Sequence, residues 1–179
     1  GEDSAYAIIH ESDDTNDNNK NKEVSFALGI DKETEGMGKI NVMGFGAWGK
    51  ISDEDKTFLQ GITGYGAAEN EDDKSKGGVN LAYVLGNFTL ISQYIHAIDG
   101  ELERDGWFLQ PSYELSGPDW KYFDAYEFVF RYNSLNVSLD DVFAAPTTWD
   151  RQTYTLAVIT DIVKNVKLKT EYNINDEQT

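Results

Sequence analysis

Along most of the chain, hydrophobic and polar residues alternate with a period of two. In NVKLKTEYNIND, Val166, Leu168, Thr170, Tyr172 and Ile174 fall on one side, and Lys167, Lys169, Glu171 and Asn173 on the other. This is the pattern of a β-strand whose two faces meet different surroundings. DAYEFVFRYN repeats it, with Tyr126, Phe128, Phe130 and Tyr132 set against Glu127, Val129, Arg131 and Asn133. Period-two stretches predict strands over Ser4–Glu11, Glu23–Lys32, Gly38–Lys50, Gly78–Gly86, Asn87–Ile98, Gly106–Ser116, Lys121–Asn133, Arg151–Thr160 and Asn165–Asn175. Helical periodicity is hard to find anywhere. The stretches exceed the usual globular strand of about 5–6 residues.

The connections sort by length. Tight turns are predicted at TEGMG, at Gly86–Asn87, at SGPD and at DIVKN. They alternate with longer polar connections over Ser12–Lys22, Ile51–Gly77, Asp99–Asp105 and Ser134–Asp150. Tight turns gathered at one end predict an all-β, antiparallel up-and-down meander, and a transmembrane β-barrel or part of one. The whole chain, 1–179, reads as one such domain or fragment with nine strands, or ten if Ile51–Gly77 supplies another. Only a long loop there, folded inward, preserves the alternation.

Which face is wet decides the function class. Four large aromatics from one strand would crowd the interior of a small soluble barrel, whereas lipid sets no limit on their volume. Trp107, Tyr113, Tyr126, Phe128, Phe130, Tyr132, Tyr154 and Tyr172 are therefore candidates for a lipid-facing surface and its interfacial girdle. Glu127, Arg131, Lys167, Lys169 and Glu171 are candidates for lining a water-filled pore. A soluble antiparallel sheet with one solvated face writes the same alternation. The second reading is thus a soluble all-β carbohydrate-binding or adhesion module, with Trp48, Trp107 or Trp120 as stacking platforms. A third is a small outer-membrane barrel with a structural or enzymatic role.

Composition narrows this. The net charge of −17 repels nucleic acid. The acids cluster in ESDDTNDNNKNKE, SDEDK and ENEDDKSK. Within the predicted inward loop, Asp53, Glu54, Asp55, Lys56, Glu71, Asp72 and Asp73 are candidates for a constriction or rim that concentrates cations. Cysteine is absent, which removes disulfides and thiolate metal sites. No run of 18 apolar residues offers a transmembrane helix, which leaves transmembrane strands open. GEDSAYAII shows no signal peptide, so the chain is expected to be cytosolic, already processed or a fragment. His10 and His96 lack metal-site spacing, and His96 reads as a strand residue near an interface. No nucleophile–base pair stands out, so neither an enzyme nor a metal or other cofactor is expected.

YEFVFRYNSLNV, followed by TTWDRQTYTLAVITDIVKNVKLKTEYNIND, resembles the late strands of Gram-negative outer-membrane porins, closest to the phosphate-selective (O/P) type. GNFTLISQYIHA and DGWFLQPSYEL fit the preceding hairpins, so the resemblance runs from about Val79 to Asp176. It implies a barrel of sixteen or a similar number of strands in that family, often trimeric, in contact with the bilayer and lipopolysaccharide. It also implies passive diffusion of small hydrophilic solutes across the cell outer membrane. Barrels of this kind usually close on a strand ending in Phe or Trp. This chain stops at NDEQT, so at least one further strand is expected beyond it. The acid-rich loop argues against carrying phosphate selectivity over, and a general pore with weak cation preference is expected instead.

Overall fold

The structure, a computed structural model, describes residues 4–12, 23–51, 73–100, 102–116, 125–139, 150–163 and 166–177. Alternating sequence becomes strand throughout. The elements are β1 (Ser4–Ser12), β2 (Glu23–Thr34), β3 (Gly38–Lys50), β4 (Asp73–Leu85), β5 (Phe88–Asp99), β6 (Leu102–Ser116), β7 (Ala125–Leu139), β8 (Arg151–Val163) and β9 (Val166–Glu177). They form one nine-stranded sheet in chain order, every neighbouring pair antiparallel. The protein is an all-β up-and-down meander, with no helix among the described residues. Its sheet is open there, with β1 and β9 as edges.

Turn chemistry fixes the register at one end. Glu35, Gly36 and Met37 join β2 to β3, with Gly36 and Gly38 at φ of 75° and 82°, a region only glycine enters freely. The Met37 amide closes this turn on the Thr34 carbonyl at 3.0 Å, and the Tyr83 hydroxyl donates to the Met37 carbonyl at 2.8 Å. Gly86 and Asn87 join β4 to β5 in two residues, as foreseen.

Four boundaries differ from the sequence reading, one of them at Ser134–Leu139, foreseen as the start of a long connection but forming the end of β7 paired with β6. The segment foreseen as a loop over 51–77 ends sooner, because Asp73–Gly77 is already strand in β4. The polar DKSK that opens β4 hid its strand character, since Lys74 and Lys76 sit on a face where charge is tolerated. The long connection foreseen over Asp99–Asp105 is instead mostly strand, since β5 ends at Asp99 and β6 begins at Leu102, with Gly100 at φ 62°. Conversely, β6 and β7 are joined through 117–124, a longer connection than the tight SGPD turn foreseen there.

Buried hydrophobic residues are few and mostly small: Ala47, Ile51, Leu102, Ala125 and Ala157. No large side chain is fully buried among the described residues. The ladder of backbone hydrogen bonds and cross-strand side-chain pairs holds this sheet together, rather than a packed core.

Candidate functional site

Strand parity and register divide the side chains between two faces. One face carries Val24, Phe26, Leu28 and Ile30 of β2, Ile40, Val42 and Trp48 of β3, and Val79, Leu81 and Tyr83 of β4. It continues through Phe88, Leu90 and Tyr94 of β5, and Trp107, Leu109 and Tyr113 of β6. Tyr126, Phe128, Phe130 and Tyr132 of β7 follow, then Tyr154, Leu156 and Val158 of β8, then Leu168, Tyr172 and Ile174 of β9. Most of these large apolar groups are exposed: Leu156 is 55% accessible, Leu168 54% and Tyr172 65%. Soluble monomers rarely expose contiguous apolar patches beyond a few hundred Å².

The tyrosines and tryptophans described on this face, with Phe88, fall on two oblique lines, whereas Phe26, Phe128 and Phe130 lie off them. The upper one runs through Trp48, Tyr94, Trp107, Tyr132, Tyr154 and Tyr172. The hydrogen-bonded row through Trp48 crosses Ser75, Ile98 and Glu103 to reach Ser138 of β7, six residues beyond Tyr132. The row through Tyr172 passes Leu156 to Phe130, two residues further down. The line thus drops about eight residues over six strand spacings. At about 3.3 Å per residue and 4.8 Å per strand, that is an inclination of about 42°. The lower line, Tyr83, Phe88, Tyr113 and Tyr126, drops about four residues over three strands, the same inclination. Neighbouring rings touch along the upper line: Trp107 and Tyr132 lie 5.0 Å apart, Tyr132 and Tyr154 4.9 Å. Between the lines, β4, β5, β6 and β7 place no charged residue on this face among the described residues.

The opposite face is mixed: it holds Phe45, Ile91, Ile95, Phe108, Val129 and Ile159 together with most of the sheet's charged and amide side chains. Glu127, Arg131, Lys167, Lys169 and Glu171, the five residues read as pore-lining, all lie on it. Most of them border a groove of about 760 Å³ with Gln110, Asn133, Arg151, Thr153, Thr155, Asn173 and Asn175. Its polar groups satisfy one another across strands. Thr155 Oγ1 donates to Asn173 Oδ1 at 2.6 Å, and Thr153 Oγ1 to Asn175 Oδ1 at 2.9 Å. Asn173 Nδ2 donates to Glu171 Oε1 at 2.8 Å, and Glu171 also pairs with Lys169. Lys167 pairs with Asp161 at 3.2 Å. The Arg131 guanidinium lies 4.1 Å over the Phe108 ring while its Nε donates to Asn133 Oδ1 at 2.5 Å. Stacking and hydrogen bonding hold its charge beside the groove wall.

Elsewhere on this face, Glu23 reaches Lys76 at 3.2 Å and Lys74 at 3.7 Å, two strands away. Gly49 lies between them, and a Cβ there would stand 3.2 Å from the Glu23 Cα. These lysines therefore belong to the sheet and its ion pairs rather than to an inward loop. Of the constriction candidates, Asp53, Glu54, Asp55, Lys56, Glu71 and Asp72 lie outside the described residues. Asp73 opens β4, exposed, and its carbonyl accepts the Gly100 amide at 2.9 Å.

All eight residues read as lipid-facing or girdle lie on the apolar face. Trp48 and Trp107 share that face, and Trp48 stacks on Phe26 at 5.2 Å with an interplanar angle of 8°. Trp120 lies outside the described residues. The sequence reading did not foresee one grouping. His96 of β5 comes together with Glu103 and Asp105 of β6, their ligating atoms within 4.8 Å of one another. The signal was H-x6-E-x-D across a tight hairpin, concealed by treating Asp99–Asp105 as a loop.

No protein-family model matches the chain, and no curated protein matches it either.

Proposed function

We propose that the protein is a porin-like barrel, or part of one, of a Gram-negative outer membrane, passing small hydrophilic solutes and ions by passive diffusion. The observation that carries this reading is the pair of parallel aromatic lines bounding an uncharged band on an exposed apolar face. Transmembrane barrels tilt their strands by about 35–45° and place aromatic girdles at both interfaces of an apolar band. Girdles level with the membrane therefore cross the hydrogen-bonded rows obliquely, by about the inclination found here. A soluble sheet resting on its own core has no reason to keep such lines parallel.

In this reading the polar groove is a stretch of channel wall. Its side chains are mutually hydrogen-bonded, leaving a hydrated surface of mixed charge that suits diffusion more than tight binding of one solute. The partners are the lipid bilayer with its lipopolysaccharide, the permeating solutes and, as in many porins, two further copies in a trimer. The full-length protein reconstituted in planar bilayers is expected to give stepwise ohmic conductance. In a KCl gradient its reversal potential should show a weak cation preference that shrinks at high salt, as screening shortens the reach of the acidic groups. Absence of conductance, or a clear chloride preference at low salt, would contradict the reading.

A further inference from the structure

A histidine and two carboxylates meet on the apolar face, outside the polar groove. The β5–β6 register pairs His96 with Asp105 and Ile98 with Glu103. The three donors thus occupy adjacent rows of one hairpin. His96 Nδ1 stands 3.0 Å from Asp105 Oδ1 and 3.7 Å from Glu103 Oε1. Donors around an ion with bonds of about 2.0–2.1 Å lie about 3.0–3.4 Å apart, from octahedral to tetrahedral geometry. The His96–Asp105 separation falls in that interval, whereas Glu103 stands farther out, all three donors lying within 4.8 Å, so a side-chain rotation of Glu103 would close the set around an ion. The Tyr94 hydroxyl donates at 2.6 Å to the same Asp105 Oδ1 that His96 Nδ1 meets at 3.0 Å, which fixes the orientation of this carboxylate; a bound cation would replace the His96–Asp105 hydrogen bond.

Two independent features argue for a cation. The first is charge. Across the strands from His96, Asp105 and Glu103 stand Gly77, Asn136, Ile98 and Ser138, and their same-face neighbours along the strands include Tyr94 and Trp107. None of these is Lys or Arg, so two carboxylates share a single imidazole at the upper edge of an apolar surface. The second is access. The strand partner of His96 on that flank is Gly77, which has no side chain, and the Phe26 ring lies over Gly46 one strand further on. Asn136, opposite Asp105, places a carboxamide at the other flank.

We propose that His96, Glu103 and Asp105 form a site for one divalent cation of the borderline class, of which zinc is the probe. An imidazole with two carboxylates suits zinc, whereas calcium and magnesium prefer all-oxygen sets. The site lies on the face opposite the groove, so its existence does not depend on the pore reading.

The test is calorimetric titration of the detergent-folded protein with ZnCl₂, using His96→Ala, Asp105→Asn and, as a control on the other face, Lys169→Gln. One zinc per chain is expected, with affinity falling at least tenfold in His96→Ala and in Asp105→Asn and unchanged in Lys169→Gln. Strand content by circular dichroism confirms that each variant is folded. A millimolar excess of magnesium should not displace the zinc. The proposal is overturned if no zinc binds, if both site variants bind as the parent does, or if magnesium competes at equal concentration. The last result would mark diffuse attraction to acidic groups.

Discussion

Arginine in place of Leu156 is expected to cost about 2–4 kcal/mol of folding stability in a bilayer, the penalty for a cation on the lipid face at mid-depth. Leu156 lies between Phe130 and Tyr172 in its row, inside the uncharged band and more than half exposed. In water such a site would accept arginine at almost no cost. Urea titration of the protein folded into lipid vesicles measures the difference. Asn175→Arg is the paired control. It lies exposed on the groove side, with Thr153 as its neighbour across the strand. That variant should lose far less, although the bond from Thr153 would go. Equal tolerance of both substitutions would mean that the apolar face does not meet lipid.

Charge reversal on the groove should change ion selectivity more than any other substitution. Arg131, Lys167 and Lys169 are the cationic members of the candidate wall on β7 and β9, and Arg131 is held in place by Phe108 and Asn133. Replacing all three with Glu removes three positive charges and adds three negative ones. The cation-to-anion permeability ratio of the full-length protein is expected to rise several-fold in dilute KCl. The change should diminish near 1 M, where the Debye length falls to about 3 Å. Asp161 and Glu171 lose their lysine partners in this variant, which works in the same direction. A reversal potential unmoved at low salt would place these residues away from the permeation path.

The fold was legible because one period of two, repeated nine times, leaves little choice of architecture. The face of each strand followed from the same parity, so Phe128 and Arg131 were separable before any coordinates. What was not legible concerns the strand ends. DKSK before Gly77 reads as loop because it is polar, yet in a sheet with one hydrated face Lys74 and Lys76 need only Glu23 and water. Leu102–Asp105 reads as loop for the same reason, and Gly100 alone marked the turn that brings His96 beside Glu103 and Asp105. The inclination of the aromatic lines could not be read either. It depends on the register between strands, which a single sequence does not record.

The central claim is that Tyr154, Leu156 and Val158 face lipid while Thr153, Thr155 and Ala157 face a hydrated interior. Because the chain contains no cysteine, single cysteines can be placed at 153–158 and spin-labelled without removing native residues elsewhere. Oxygen partitions into the bilayer and a charged nickel chelate stays in water, so the accessibility of each label to the two reagents reports its surroundings directly. In lipid vesicles, oxygen accessibility is expected to peak at 154, 156 and 158, with the nickel chelate peaking at 153, 155 and 157. Nickel accessibility highest at 154, 156 and 158, with the protein folded in plain buffer, would contradict the account.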